Sequence, residues 1–154
     1  MELKNLLSEL RNRFGFQNLN PDENGIYRLL VNKKFTLNLT ESIDRTALFL
    51  YSDIVSLNPD PATKLLIYER TLSANLFGKE TNDAFFAFDP KRNVILLTKR
   101  LDSRLTDFPL FFEEFRDFIN SLAYWDQIVS EGLLQSPKAL KDKPENFIDT
   151  RKIV

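Results

Sequence analysis

Residues 26–52 read IYRLLVNKKFTLNLTESIDRTALFLYS, and their patterning decides the fold class. At their centre, Phe35, Leu37 and Leu39 alternate with Lys34, Thr36, Asn38 and Thr40. A period of two is the signature of a strand with one buried face. The run before it, IYRLLVN at 26–32, and the run after it, RTALFLYS at 45–52, are also strand-like, the latter apolar on both faces. Asn32-Lys33 makes a tight link between the first two, and ESID spans the next turn. Consecutive strands joined this closely predict an antiparallel meander.

Working outward, Leu3, Leu6, Leu7 and Leu10 form one helical stripe over residues 2–14, extended by Phe14, with Gly15 as a stop. The segment from Gln17 to Gly25 is polar and turn-rich. After the meander, Asp60 is the expected N-cap of a second helix with Pro61 at its first position. Leu65, Tyr68, Leu72 and Leu76 then recur at helical spacing, and Gly78 marks the end. DAFFAFD and NVILLTK follow as two strands joined by a hairpin-length connection. Ala84, Phe86 and Phe88 share one face of the first, and Phe85 and Ala87 the other. A final helix over roughly 106–130 is expected, capped by Thr106, with Phe111, Phe115, Phe118, Leu122, Trp125 and Val129 on one stripe. Gly132 ends it. From about Gln135 two prolines and alternating charges read as a flexible tail, with Phe147, Ile148 and Ile153 its candidates for docking in an oligomer or complex. The order α-β-β-β-α-β-β-α predicts an α+β fold in which helices cover one side of an antiparallel sheet. One domain over residues 1–134 and a tail over 135–154 is the expected organisation.

Composition narrows the chemistry. The 154 residues include no His, no Cys and 14 Phe. Zinc, copper and haem sites lose their usual ligands, and no thiol or imidazole is present to act as nucleophile or base. No Ser lies in a Gly-x-Ser-x-Gly elbow, and the four glycines are too scattered for a phosphate-binding loop. Carboxylate pairs such as Asp53 with Asp60, or Asp83 with Asp89, could serve a hydrolase if they faced each other, but turn and cap roles explain them more simply. Asp107, Glu113, Glu114 and Asp117 lack the spacing of a calcium loop and read as a solvated helix face. Phe85, Phe86 and Phe88 near Lys91 and Arg92 are the best stacking site for a nucleic acid, but the net charge of -1 argues against nucleic-acid binding. No apolar run is long enough for membrane insertion, and charges interrupt the N-terminal segment too often for a signal peptide.

Protein binding remains. A sheet with helices on one side should be polar on the other. Strands apolar on both faces therefore need a helix, another subunit or a client. Phe85, Phe86, Phe88 and the second helix are the candidates for a homodimer interface, and Leu29, Val31, Leu48 and Leu50 for a client-binding face. The other reading of both sets is ordinary core.

Three stretches together resemble the class I type III secretion chaperones of the Tir-chaperone (CesT-like) family. They are the strand triplet running into SLNPD at 56–60, the motif Leu72-Ser73-Ala74-Asn75-Leu76-Phe77-Gly78 with Ala84-Phe85-Phe86-Ala87-Phe88-Asp89-Pro90, and the closing helix with Phe near its start and Trp near its end. The resemblance covers roughly residues 1–130. It implies a bacterial, cytoplasmic homodimer that is no enzyme, uses no cofactor, and holds the extended N-terminal segment of one or more secreted effectors. It also implies contacts with the export apparatus or its ATPase. A dimer interface over Leu65, Tyr68, Leu72, Leu76, Ala84, Phe85, Phe86 and Phe88 is implied. So is an effector surface over Leu3, Leu7, Leu10, Phe14, Leu29, Val31, Phe35, Leu37, Leu39, Leu48 and Leu50. A non-enzymatic adaptor or regulator of the secretion apparatus is the alternative. The chain departs from the family at Thr81-Asn82-Asp83 and in Asp53-Ile54-Val55-Ser56, where glycines are common. Asn and Asp tolerate the backbone angles such a turn needs.

Overall fold

The computed structural model describes residues 1–134 other than Asn18, Asn58 and Leu133. The tail expected over 135–154, with Phe147, Ile148 and Ile153, lies outside the described residues. The elements follow the order α1 (Leu3–Phe14), β1 (Tyr27–Val31), β2 (Phe35–Glu41), β3 (Ala47–Ser56), α2 (Pro61–Ala74), a 3-10 turn (Leu76–Gly78), β4 (Phe85–Asp89), β5 (Val94–Asp102) and α3 (Phe108–Ser130).

The strands form one antiparallel sheet in the order β1-β2-β3-β5-β4. Asn32 and Lys33 both adopt positive φ, as a two-residue hairpin turn requires. β3 outruns its expected end by four residues, because its second half pairs with β5 across a bulge between Asp53 and Val55. That bulge occupies the loop where the family pattern carries glycine. It lets the strand continue without one.

One face of the sheet is covered. Leu29, Leu37, Leu39, Leu50 and Leu97 turn toward α1 and α3, whose Leu6, Leu10, Phe111, Phe115, Phe118 and Trp125 complete the core. The opposite face carries the cross-sheet row Arg28–Asn38–Tyr51–Thr98–Phe85, with no helix of the described residues over it. Its concave surface encloses about 840 Å³ between Arg28, Asn38, Tyr51, Thr98, Leu96 and their neighbours.

Helix ends follow local chemistry. Asp60 accepts the Thr63 N–H at 2.9 Å, with Pro61 at the first helical position. In α3 the cap is Asp107, not Thr106. The Asp107 carboxylate accepts the Leu110 N–H, while the Thr106 hydroxyl is turned to the Asp102 carbonyl. α2 stops at Ala74 rather than at Gly78, and a 3-10 turn fills the gap.

Candidate interaction site

The second helix buries Ile67, Arg70, Thr71 and Ala74, not the leucine stripe read from the sequence. Leu65, Leu72 and Leu76 face solvent at 57%, 68% and 63% exposure, and Leu66 joins them. The 3-10 turn adds Phe77, 79% exposed and held at φ 58. Phe88 lies beside this group, its ring edge-on to Tyr68 at 6.0 Å. One edge of the molecule thus presents Leu65, Leu66, Leu72, Leu76, Phe77 and Phe88. Leu66 falls inside the region Leu65 to Leu76 that the resemblance implies for the interface, though it is off the leucine stripe, and Phe77 lies one residue beyond that region. Phe77 stood inside the quoted motif, but periodicity cannot report a side chain thrown outward by a left-handed residue.

The other members of that predicted set are divided. Phe86 turns inward, its ring edge-on to Trp125 at 4.7 Å, and Ala84 is also buried. Both support the edge from beneath. Phe85 lies on the opposite, uncovered face of the sheet, in register with Thr98.

The turn between α2 and β4 is fixed by polar side chains. The Asn75 amide donates to the Phe86 carbonyl at 3.1 Å and accepts the Phe86 N–H at 2.6 Å. It takes the place of a neighbouring strand on the outer edge of β4. Thr81 donates its hydroxyl to the Ala84 carbonyl. Asn82 and Asp83 sit at φ 50 and 61, the angles that glycines would otherwise supply. Gly78 has no substitute. A Cβ there would lie 2.5 Å from the Asp83 carboxylate and 3.0 Å from its Cα, at φ 66. Underneath, the Arg70 guanidinium lies 4.8 Å from the centre of the Trp125 ring and bonds Glu80 at 2.9 Å. The indole N–H donates to the Glu80 carbonyl.

The predicted client residues divide differently. Leu3, Leu7, Leu10, Leu29, Val31, Leu37, Leu39, Leu48 and Leu50 are all core, at 2% exposure or less. The face they share is already taken by α1 and α3 of the same chain, so these side chains hold the fold together. Phe14 and Phe35 are only partly buried. Phe14 stacks on Phe112 at 4.9 Å. Around them, Tyr27 is half-exposed, and Leu30 is 58% exposed on the first strand of the sheet. β1 pairs only with β2, so its other edge is open among the described residues.

The acidic groups considered for catalysis have other partners. Asp53 accepts two bonds from the Arg92 guanidinium at 2.8 and 3.0 Å, and Asp89 takes a third from the same group. The Arg92 side-chain bond foremost, with the backbone N–H groups of Arg92 and Lys91, holds the Asp89 carboxyl below its ordinary range. Glu114 pairs with Lys99, whose ammonium also donates to the Asn82 carbonyl. No cluster of three or more metal-ligating side chains occurs among the described residues, and no helix there is long and apolar enough to cross a membrane.

The sheet is covered on one side, apolar side chains stand out along one edge, and Asp53, Asp60, Asp89 and Glu114 are engaged in a helix cap or ion pairs, an arrangement suited to binding another protein. The family profile of the Tir chaperone protein (CesT) family matches residues 5–126, and the chain belongs to that family. The family is a class of non-enzymatic chaperones. No curated protein sequence matches the chain. Among solved structures, the ExsC–ExsE complex superposes with a TM-score of 0.65 at 22% identity, over 83% of this chain and 96% of that one. The HopA1–SchA chaperone–effector complex gives 0.62 at 17% identity, over 80% and 92%. The Yersinia pestis type III secretion chaperone SycH, in complex with a fragment of YscM2, gives 0.56 at 18% identity, over 79% and 97%. At these identities the likeness is one of fold.

Proposed function

We propose that this protein is a cytoplasmic export chaperone of a type III secretion system. It acts as a homodimer that holds the extended N-terminal segment of a secreted effector. The observation that carries the reading is the apolar edge of α2, the 3-10 turn and β4 in a chain of the CesT family. Burying the exposed part of such a side chain is worth roughly 1 kcal/mol or more. Six from each protomer reach on the order of 12 kcal/mol, comparable to the roughly 4–15 kcal/mol that association costs. A second copy meeting this edge is therefore the economical occupant.

The client surface that the geometry supports is the outer edge of β1 with its surroundings. An added strand would bond the free backbone groups of β1. Its alternate side chains would reach Tyr27, Phe14 and Phe35 on one face and Leu30 on the other. The mechanism is stoichiometric capture, with no ATP and no cofactor. Contact with the export apparatus or its ATPase belongs to the same reading.

The test is native co-purification from the source bacterium, with mass spectrometry of the bound proteins and of the intact complex. Two copies of this chain with one secreted protein, retained through its N-terminal segment, is the expected result. A monomer with no partner, or recovery of apparatus components alone, would overturn it and return the adaptor reading.

A further inference from the structure

The turn from α2 to β4 holds a residue that folding alone does not explain. Phe77 sits at φ 58 and ψ 13, in the left-handed region, and Gly78 follows it at φ 66. The other non-glycine residues at positive φ among the described ones are Asn, Asp, Lys or Arg in the connections between elements. A bulky side chain is strained there, and Gly or Asn would take the same backbone more easily. The segment is not free to relax. The Asn75 side chain bonds both backbone groups of Phe86, the Gly78 N–H donates to the Asn75 carbonyl at 3.3 Å, and the Gly78 carbonyl accepts the Asp83 N–H at 3.0 Å. Nor does the ring recover the strain inside its own chain. At 79% exposure it is the most exposed aromatic ring among the described residues.

On the homodimer reading above, we infer that Phe77 is the anchor of the dimer, the side chain that carries most of its affinity, and that the left-handed turn serves to present it to a second copy of this chain. Strain at Phe77 is present whenever the chain is folded, so whatever offsets it must be present as constantly. A second copy meets that condition, whereas a client that is exported leaves. Leu72, on the last turn of α2, and Leu76, next to Phe77 in sequence, are 68% and 63% exposed. An aromatic ring set among apolar side chains that exclude water is the arrangement in which one residue dominates an interface. In a two-fold pair the ring enters twice, once from each protomer.

An anchor of this kind has a signature that a structural residue lacks. Removing a core phenylalanine weakens fold and assembly together. Replacing Phe77 by glycine moves them in opposite directions: the left-handed backbone is relieved, so the single chain gains stability, while the dimer loses its two rings.

Two measurements on the full-length chain test this. In sedimentation across micromolar concentrations, Phe77→Gly should raise the dimer dissociation constant about a hundredfold or more. Leu65→Ala, at an edge leucine 57% exposed, should raise it less than about tenfold. Equal losses in the two variants would spread the affinity over the edge and overturn the anchor role. The second measurement is urea unfolding in a chain made monomeric by Leu72→Asp with Leu76→Asp. Adding Phe77→Gly there should raise the midpoint, with a folding constant higher by about fivefold. An unchanged or lower midpoint would show that the ring serves the fold, and would overturn the inference. A dimer that persists in the Leu72→Asp, Leu76→Asp chain would overturn it too, by placing the interface elsewhere. Failure of the wider reading looks different: a wild-type chain that is monomeric at these concentrations removes the homodimer itself, whereas a dimeric wild type whose constant Phe77→Gly leaves unmoved removes only the role of Phe77.

Discussion

At the scale of single residues, the most consequential side chains are polar ones that replace backbone. Asp44 accepts bonds from the Ser42 hydroxyl and from the Thr46 N–H and hydroxyl, closing the β2–β3 turn. These bonds, the Ser42 one foremost, hold its carboxyl at about 2. Because the folded value lies below the ordinary value of about 3.9, the stabilisation is complete above about pH 4 and disappears as pH falls through about 2. Asp44→Asn should lower the urea midpoint at pH 6 and shrink the further drop between pH 5 and 2.5. An unchanged acid limb in the variant would remove Asp44 from the account. Trp125 is the largest fully buried side chain and touches Phe86, Arg70 and Glu80 at once. Trp125→Ala should cost about 3–5 kcal/mol in chemical denaturation. Gly78→Ala should cost about 1–3 kcal/mol, since it combines an unfavourable φ with a clash against Asp83.

At the scale of elements, Asn75 and β4 form one unit. Asn75→Ala would leave the outward N–H and C=O of Phe86 without their partner, at a cost of about 1–3 kcal/mol. Hydrogen exchange should report it as faster exchange at Phe86 with little change in β1–β2. How much of this was legible in the sequence differs from element to element. The alternation around Leu37 and the N-cap at Asp60 were readable because they depend on local periodicity and local bonds. β3 was cut short because its second half is set by β5, about forty residues away. The stripe Leu65–Leu72–Leu76 was read correctly as a stripe, yet its exposure could not be read, because periodicity names a face and not what lies opposite. The same limit placed Leu29, Leu37 and Leu50 on a client surface when α1 and α3 of their own chain cover them. Phe85 and Phe86 show the limit most simply. Adjacent in a strand, they face opposite sides, and only one meets Trp125.

At the scale of the whole molecule, the apolar edge separates folding from assembly. Leu72→Asp with Leu76→Asp alters side chains that are more than half exposed, so the melting profile of the isolated fold should change little. The proposed dimer should weaken at least a hundredfold, as read by sedimentation across micromolar concentrations. A native dimer at low micromolar concentration in that variant would place the interface elsewhere. Phe86→Asp, by contrast, should unfold the chain, because it puts a charge beside Trp125. The clamp at Asn75 has a further consequence at this scale. A sheet open along both margins is a repeating unit, since the free margin of one molecule can take the free margin of the next without end. With β1 open and β4 occupied at Phe86 by a side-chain amide, an incoming strand would have to displace Asn75 before head-to-tail growth could use the second margin. The clamp therefore disfavours filaments relative to closed pairs that meet through side chains.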